Sequence, residues 1–276
     1  MNYKIVTDSS ADLLVIEDVP FCSVPLKIVT SEQEYVDTAE LDVSAMLADL
    51  KSYKGRSGSS CPNPEDYLAA FGDSENVFCI TITSGLSGSC NSANAAAREY
   101  TELHPDRRVH VIDSLSTGPE CRLIIEKIRE LILIDKSFDE IVTEVAEYQR
   151  RTHLIFALES LHNLANNGRV NPIVAKISGF LGIRVVGKAS DAGTLEITNK
   201  SRGAQGALAS ILKNMKSEGY VGGRVIIHHA ENENLAAALR DKILAEFPAA
   251  DITVGRARGL CSFYAESGGL LVGFEG

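Results

Sequence analysis

The chain has 276 residues, of which 45% are hydrophobic and 23% charged, and 27 Lys and Arg against 37 Asp and Glu give a net charge of −10. The length suits two domains of about 100–200 residues each, and the composition excludes a disordered chain. Since no dense basic stretch offsets the acidic excess, a polyanion would be repelled, which argues against nucleic acid as a partner.

Cysteine usage and apolar patterning indicate where the protein works. The six cysteines, at positions 22, 61, 79, 90, 121 and 261, form no C-x-x-C pair and no Cys/His cluster of the kind that holds zinc. The chain starts directly with an apolar strand rather than a signal segment. Serines, glycines and a glutamate interrupt the longest near-apolar run, 260–274, so it does not suit a bilayer span. We expect a cytoplasmic protein with reduced cysteines, no metal and no stable membrane insertion.

Strand and helix signals alternate along the first half of the chain. The predicted strands are Tyr3–Thr7, Phe21–Val29, Val77–Thr83 and Val109–Asp113. The predicted helices are Val43–Lys51 behind an Asp42 cap, Pro64–Phe71 behind Asn63, Asn91–Tyr100, Pro119–Ile134, and Ser137–Arg151 with a Ser137/Glu140 capping box. Alternation at these lengths predicts crossover connections and a mostly parallel sheet.

The second half changes character near Leu154–Leu158. A helix is predicted from Pro172 to Gly182, and two runs, Ile183–Lys188 and Thr194–Thr198, read as an antiparallel hairpin. Helices 203–217 and 232–246 and strands 224–229 and 251–255 follow. The predicted fold is therefore α/β with two α/β domains: 1–155 with a mostly parallel sheet, and 156–276 with a smaller mixed sheet and helices. A cleft between such domains commonly holds a ligand.

Two polar segments are candidate binding elements with simpler structural interpretations. Residues 7–12, which contain Asp8 and Ser9, come directly after the first strand, where the crevice of a parallel sheet lies. Ser and Asp there also suit a helix cap, the interpretation we favour from the pattern alone. Residues 57–64 carry the adjacent hydroxyls of Ser59 and Ser60, which are uncharged donors, and two prolines that stiffen the segment; as a bare pattern they form a loop.

The segment 83–89, between a predicted strand and a helix, is the most informative. Its small residues permit close backbone approach, and free amides at a helix start attract an anion. It nearly matches the serine-hydrolase motif G-x-S-x-G, with Ser87 as nucleophile and His228 or His229 as a base, but Ser89 occupies the final glycine position. A phosphate-handling enzyme would use the same loop. A fourth segment, 166–170, offers the guanidinium of Arg169 from a polar turn, where a solvated arginine is the interpretation we favour from the pattern alone.

Taken in order, short motifs along nearly the whole chain resemble the DegV family of fatty-acid-binding proteins. The similar segments are Asp8–Asp12 (family D-S-S/T-A-D), Val24–Leu26 (I-P-L), Ser59–Pro62 (T-S-Q-P), Leu86–Ala93 (L-S-G-T-Y-x-S-A) and Asn167–Val170 (G-G-R-I/V). The resemblance implies a two-domain α/β protein that holds one long-chain fatty acid in a closed tunnel and, in one branch, presents it to a separate fatty acid kinase.

The resemblance also implies which residues hold the ligand. By the resemblance, the fatty-acid carboxylate would meet the hydroxyls of Ser59 and Ser87, and Arg169 would take part in presenting the acid to the kinase. To these we add the Gly88 amide as a further donor to the carboxylate, and we expect Arg169 near the mouth of the tunnel. Asp8, Ser9 and Ser60 would support the site or contact a partner. Three departures stand out: serine replaces threonine at 59, Cys61 replaces glutamine, and Tyr264 stands where the family has a histidine. We expect Tyr264 to supply a further donor to the carboxylate, since a tyrosine can still donate one hydrogen bond but does not become cationic near neutral pH.

The sequence therefore predicts a non-catalytic lipid carrier with no cofactor and no catalytic residue. One alternative is a serine hydrolase or phosphate-handling enzyme that uses the 83–89 loop. A second is a ligand-free interaction protein with a filled core. Fluorophosphonate labelling of Ser87 distinguishes the hydrolase, and a tunnel between the two halves distinguishes the carrier from the interaction protein.

Overall fold

The computed structural model describes residues 2–171 and 182–276. The strands are β1 Tyr3–Asp8, β2 Phe21–Val24, β3 Lys27–Val29, β4 Glu34–Val36, β5 Gly58–Ser60, β6 Asn76–Thr81, β7 Arg108–Asp113, β8 Thr152–Leu158, β9 Ile183–Ala189, β10 Leu195–Arg202, β11 Arg224–His229, β12 Asp251–Arg256 and β13 Leu270–Glu275. The helices are Val43–Ser52, Pro64–Phe71, Ser89–Leu103, Pro119–Leu133, Phe138–Gln149, His162–Asn166, Gly203–Ser217, Glu233–Glu246 and Gly259–Ala265, with a 3-10 turn at Ser9–Ala11.

The first sheet has the order β2-β1-β6-β7, and every pair in it is parallel. Helices bury both of its faces, because alternate residues of the same strands join different cores. Ile5 and Phe78 pack with the helix Pro119–Leu133, whereas Val6 and Cys79 pack with the helices on the other side. The parallel α/β arrangement predicted for the first half is confirmed.

The second sheet is mixed, with the order β10-β9-β8-β13-β11-β12. A mixed sheet with helices was predicted for this half, but its six strands make it larger, not smaller, than the four-stranded parallel sheet. One of the six strands, β13, was not predicted, because Gly268 and Gly269 before it and Gly273 within it weaken the strand signal in the sequence. Gly273 is required there, since a Cβ at this position would lie 2.7 Å from the Glu120 amide nitrogen of the helix packed on the strand.

A third, antiparallel sheet of order β4-β3-β5 was not predicted. The extended run Phe21–Val29 divides into β2 and β3 around Pro25, because proline cannot donate a ladder hydrogen bond. β2 joins the parallel sheet, while β3 pairs with β5 and places Ser59 directly opposite Ile28. This small sheet fixes the backbone position of Ser59.

The structure confirms the capping residues that were predicted at two helix starts. Asp42 caps its helix by accepting a hydrogen bond from the Ala45 amide. Ser137 with Glu140 forms a capping box, as predicted. The helix predicted over 172–182 lies, apart from Gly182, outside the described residues. None of the helices described is long and apolar enough to cross a membrane.

The predicted domain boundary at residue 155 falls inside β8. This strand pairs with β13 and β9 in the mixed sheet, and its pairing begins at Thr152. The division into 1–155 and 156–276 stays a prediction.

Candidate functional site

A narrow cavity lies between the loops that follow the parallel strands and one face of the mixed sheet. The cavity has a volume of about 70 Å³, several times what one water molecule needs. Its apolar wall is formed by Leu26, Ile82, Leu86, Leu154, Phe156, Leu158, Leu164, Leu195, Leu260, Ala265 and Leu271. The described polar residues on its lining are Ser59, Ser87, Thr117, Arg169, Cys261 and Tyr264. The cavity is therefore apolar over most of its surface and has a small set of polar side chains on its lining.

Two hydroxyls from distant parts of the chain meet in this polar set. Ser59 Oγ and Tyr264 Oη lie 2.7 Å apart. The bond between them uses one of their two hydroxyl protons, so the other remains available to an anion in the cavity. The predicted residues Ser59 and Tyr264 are thus neighbours, and together they provide a neutral donor.

The helix that carries Tyr264 is fixed at its first turn by two buried carboxylates. Asp37 accepts hydrogen bonds from the amides of Gly259 and Leu260, each at 2.9 Å, and Asp12 accepts one from the Arg258 amide at 2.7 Å. Burial raises the pKa of Asp37, an effect that these backbone hydrogen bonds oppose. Residue 259 has to be glycine, because a Cβ there would lie 2.7 Å from Asp37 Cγ. The position of Tyr264 is therefore closely determined.

The loop 83–89 folds into a turn that presents Ser87. The Thr83 carbonyl accepts hydrogen bonds from the amides of Leu86 and Ser87 at 3.3 and 3.2 Å. Ser87 Oγ accepts a bond from the Ser89 amide at 3.3 Å, which leaves its own hydroxyl proton free to point elsewhere. The Thr83 hydroxyl donates to the Gly193 carbonyl at 2.8 Å, so the tip of the β9–β10 hairpin packs on the loop.

Asp8 lies buried beneath this loop rather than on the cavity lining. Its carboxylate accepts hydrogen bonds from Ser89 Oγ at 2.6 Å and from the Ile82 amide at 3.0 Å. Ser9 Oγ accepts a hydrogen bond from the Leu26 amide at 3.0 Å. Both predicted residues thus hold cavity-forming segments in place, and Asp8 also caps the turn Ser9–Ala11, as the helix-cap interpretation predicted.

Arg169 provides the cationic group among the polar residues of the lining. Its Nε donates to the Leu86 carbonyl at 3.3 Å, and its guanidinium carbon lies 5.8 Å from the centre of the Tyr264 ring. The polar turn at 166–170 and the loop 83–89 are therefore in direct contact. A positive charge beside neutral hydroxyls suits a carboxylate that would otherwise be buried without a partner.

Two predicted residues are not on the described lining, and two of its polar residues, Thr117 and Cys261, were not predicted as site residues. Gly88 and Ser60 are exposed and adjoin lining residues without contributing to the wall themselves. Thr117, which was not singled out, lines the cavity close to the Cys261 thiol, with 3.5 Å between Oγ1 and Sγ. Its signal in the sequence is the polar turn directly after β7, since the carboxyl ends of parallel strands meet at one crevice.

The histidines proposed as a base for Ser87 have other partners. His228 Nδ1 lies 2.9 Å from Asp12 Oδ2, with both side chains buried. His229 Nδ1 accepts a hydrogen bond from the Asn232 amide at 3.2 Å. Neither is among the described residues that line the cavity. The arrangement does not support a Ser87–His catalytic pair.

Known proteins are similar to this chain over its whole length. A sequence model described as an uncharacterised protein of the DegV family matches residues 2–275. A DegV domain-containing protein of Streptococcus pneumoniae is 43% identical over 279 aligned positions, which cover 100% of this chain and 99% of that protein.

Solved structures show the same fold. The structure of a DegV family protein from Eubacterium eligens loaded with heptadecanoic acid has a TM-score of 0.97 at 43% identity, over 99% of both chains. The structure of the Streptococcus pneumoniae Fatty Acid Kinase (Fak) B3 protein loaded with linoleic acid has a TM-score of 0.98 at 43% identity, over 100% of this chain and 99% of that one. With a family match over 2–275 and relatives of this identity over 99% of their length, the chain belongs to the DegV family.

Proposed function

We propose that the protein binds one long-chain fatty acid without covalent chemistry and acts as a lipid carrier rather than an enzyme. The observation that carries the proposal is the cavity itself, an apolar wall with a small set of hydroxyls and one arginine. The two similar proteins described above, crystallised with heptadecanoic and linoleic acid, support this class of ligand.

The apolar wall would supply most of the binding free energy. Burying an acyl chain is worth about 0.8 kcal/mol per methylene, so about fifteen methylenes give on the order of 12 kcal/mol before the costs of association are subtracted. The polar set then has a simpler task, which is to prevent the carboxylate from being buried without partners. Neutral hydroxyls and one guanidinium meet that requirement without a metal or a cofactor.

The carboxylate would lie among the hydroxyls of Ser59, Ser87 and Tyr264. The spare proton of the Ser59–Tyr264 pair and the proton of Ser87 would each be donated to it. Arg169 would balance its charge. The Gly88 amide, one residue beyond Ser87, remains in the proposal as a further donor.

A partner enzyme belongs to the same proposal. The similarity to the Fatty Acid Kinase (Fak) B3 protein supports presentation of the bound acid to a fatty acid kinase. A carrier for such a kinase would work in the cytoplasm, and the free thiols of all six cysteines fit a reducing compartment.

Replacing Ser87 by alanine tests the head-group site. Loss of a hydrogen bond to a charged group is worth about 1.5–3 kcal/mol, so the dissociation constant for oleic acid should rise about 10-fold to 150-fold. Ser84→Ala is the matched control, because Ser84 lies exposed on the same loop and is not on the lining. The measurement is displacement of a fluorescent fatty acid from the delipidated protein.

Equal affinities of the wild-type and Ser87→Ala proteins would remove Ser87 from the site. Thermal unfolding of both variants checks that the loop still folds. Covalent labelling of Ser87 by a fluorophosphonate would instead favour the hydrolase, and we expect none.

A further inference from the structure

A glycine and a phenylalanine face each other on the sheet side of the cavity. Phe156 of β8 and Gly187 of β9 are direct partners in the antiparallel ladder, so their Cα substituents project on the same face. A Cβ on Gly187 would lie 2.3 Å from Cζ and 2.7 Å from Cε2 of Phe156. The ring therefore occupies the space that a side chain at 187 would need.

The position of this ring sets the height of the cavity floor, which we define as Leu154, Phe156 and Leu158 of β8 with Leu271 of β13. All four line the cavity, and Leu271 is the ladder partner of Phe156 on its other side. Phe156 is only 1% exposed. Because the ring lies across the glycine instead of standing away from the sheet, the space above it stays open.

We propose that the Phe156–Gly187 pair determines the shape of the acyl chain that the cavity accepts. This inference rests on the proposed function. A cis double bond bends the chain and widens the path it needs, whereas a saturated chain can run straight. Since protein interiors are close-packed, a ring raised by even a methyl group at 187 takes its volume from the cavity. A smaller side chain at 156 returns volume to it.

Two variants with opposite effects test the inference. The dissociation constants of stearic and oleic acid, which have the same length and differ by one cis double bond, are measured by displacement of a fluorescent fatty acid. In Gly187→Ala the ratio of the oleic to the stearic constant should rise about tenfold, the order of effect that a methyl-sized change has in an apolar pocket. In Phe156→Leu the ratio should fall below that of the wild type.

A second contact makes the Phe156 variant essential. A Cβ at 187 would also lie 2.4 Å from the Glu196 carbonyl oxygen, so Gly187→Ala has a backbone strain that Phe156→Leu lacks. Ile155→Val is the matched control, because Ile155 packs in the core on the opposite face of β8 and should leave the ratio unchanged.

The outcomes separate the two proposals. If folded Phe156→Leu protein binds both acids with the wild-type ratio, or if Ile155→Val changes the ratio equally, the inference is wrong and the proposed function stands. If the wild-type protein binds neither acid, both are overturned. A fall in the ratio for Phe156→Leu alone supports the pair as the determinant of chain shape.

Discussion

Replacement of Asp8 by alanine is expected to lower the free energy of unfolding by about 3–5 kcal/mol, the cost of disrupting a buried charged network. The carboxylate accepts hydrogen bonds from the amides of Ser10 and Ile82 and from the hydroxyls of Ser10 and Ser89. In the alanine variant these donors would be buried without partners. The loss would also loosen the start of the helix Ser89–Leu103, and with it the turn that presents Ser87.

Urea unfolding followed by circular dichroism measures this effect. Asp8→Asn is the control, since it keeps the shape and one accepting oxygen. The amide should cost less than alanine, because one side-chain oxygen still accepts hydrogen bonds from the surrounding donors whereas alanine accepts none. A loss below about 1 kcal/mol in Asp8→Ala, the worth of one ordinary hydrogen bond, would show that the network does not hold the loop.

Glu120 is expected to make the protein less stable as the pH rises from about 4.5 to about 7. Its side chain is buried at the start of the helix Pro119–Leu133, and burial raises its pKa to about 7, although hydrogen bonds such as that from Thr152 Oγ1 at 2.9 Å oppose the shift. Over this range the unfolded chain loses the proton while the folded chain keeps it. The folded state therefore binds more protons, and the free energy of unfolding falls with rising pH.

Glu120→Gln removes this dependence. The amide has nearly the same shape and can still accept from Thr152, but it carries no charge to bury. A pKa displaced from 4.5 to about 7 corresponds to about 3 kcal/mol above pH 7, so the variant should be more stable than the wild type at pH 8 by about 2–4 kcal/mol. At pH 4 the two should be nearly equal. Urea unfolding at both pH values checks this, and a difference that does not change with pH would contradict it.

Features encoded within a few residues could be predicted from the sequence. The Ser137/Glu140 capping box and the Asp42 cap are local hydrogen-bond patterns, and the parallel strands are continuous apolar runs between helices. The strand β13 was missed because glycines precede it at 268 and 269 and one interrupts it at 273. They serve contacts with other elements, as Gly273 does under the helix start at Glu120.

The candidate site depends on contacts that no local pattern contains. Ser59 and Tyr264 are separated by 205 positions in the chain, and only the resemblance to a family placed them together. Asp37 was not singled out, since its role in holding the Gly259 and Leu260 amides exists only in the folded chain. The sequence pattern alone favours a solvated turn for Arg169, because its contact with the loop 83–89 exists only in the folded chain.

Native mass spectrometry of the protein purified from cells tests the central claim most directly. We predict a species heavier than the polypeptide by the mass of one long-chain fatty acid, which is released on denaturation and recovered by organic extraction. Repeated recovery of the bare polypeptide, or of a polar metabolite in place of the acid, would contradict the account.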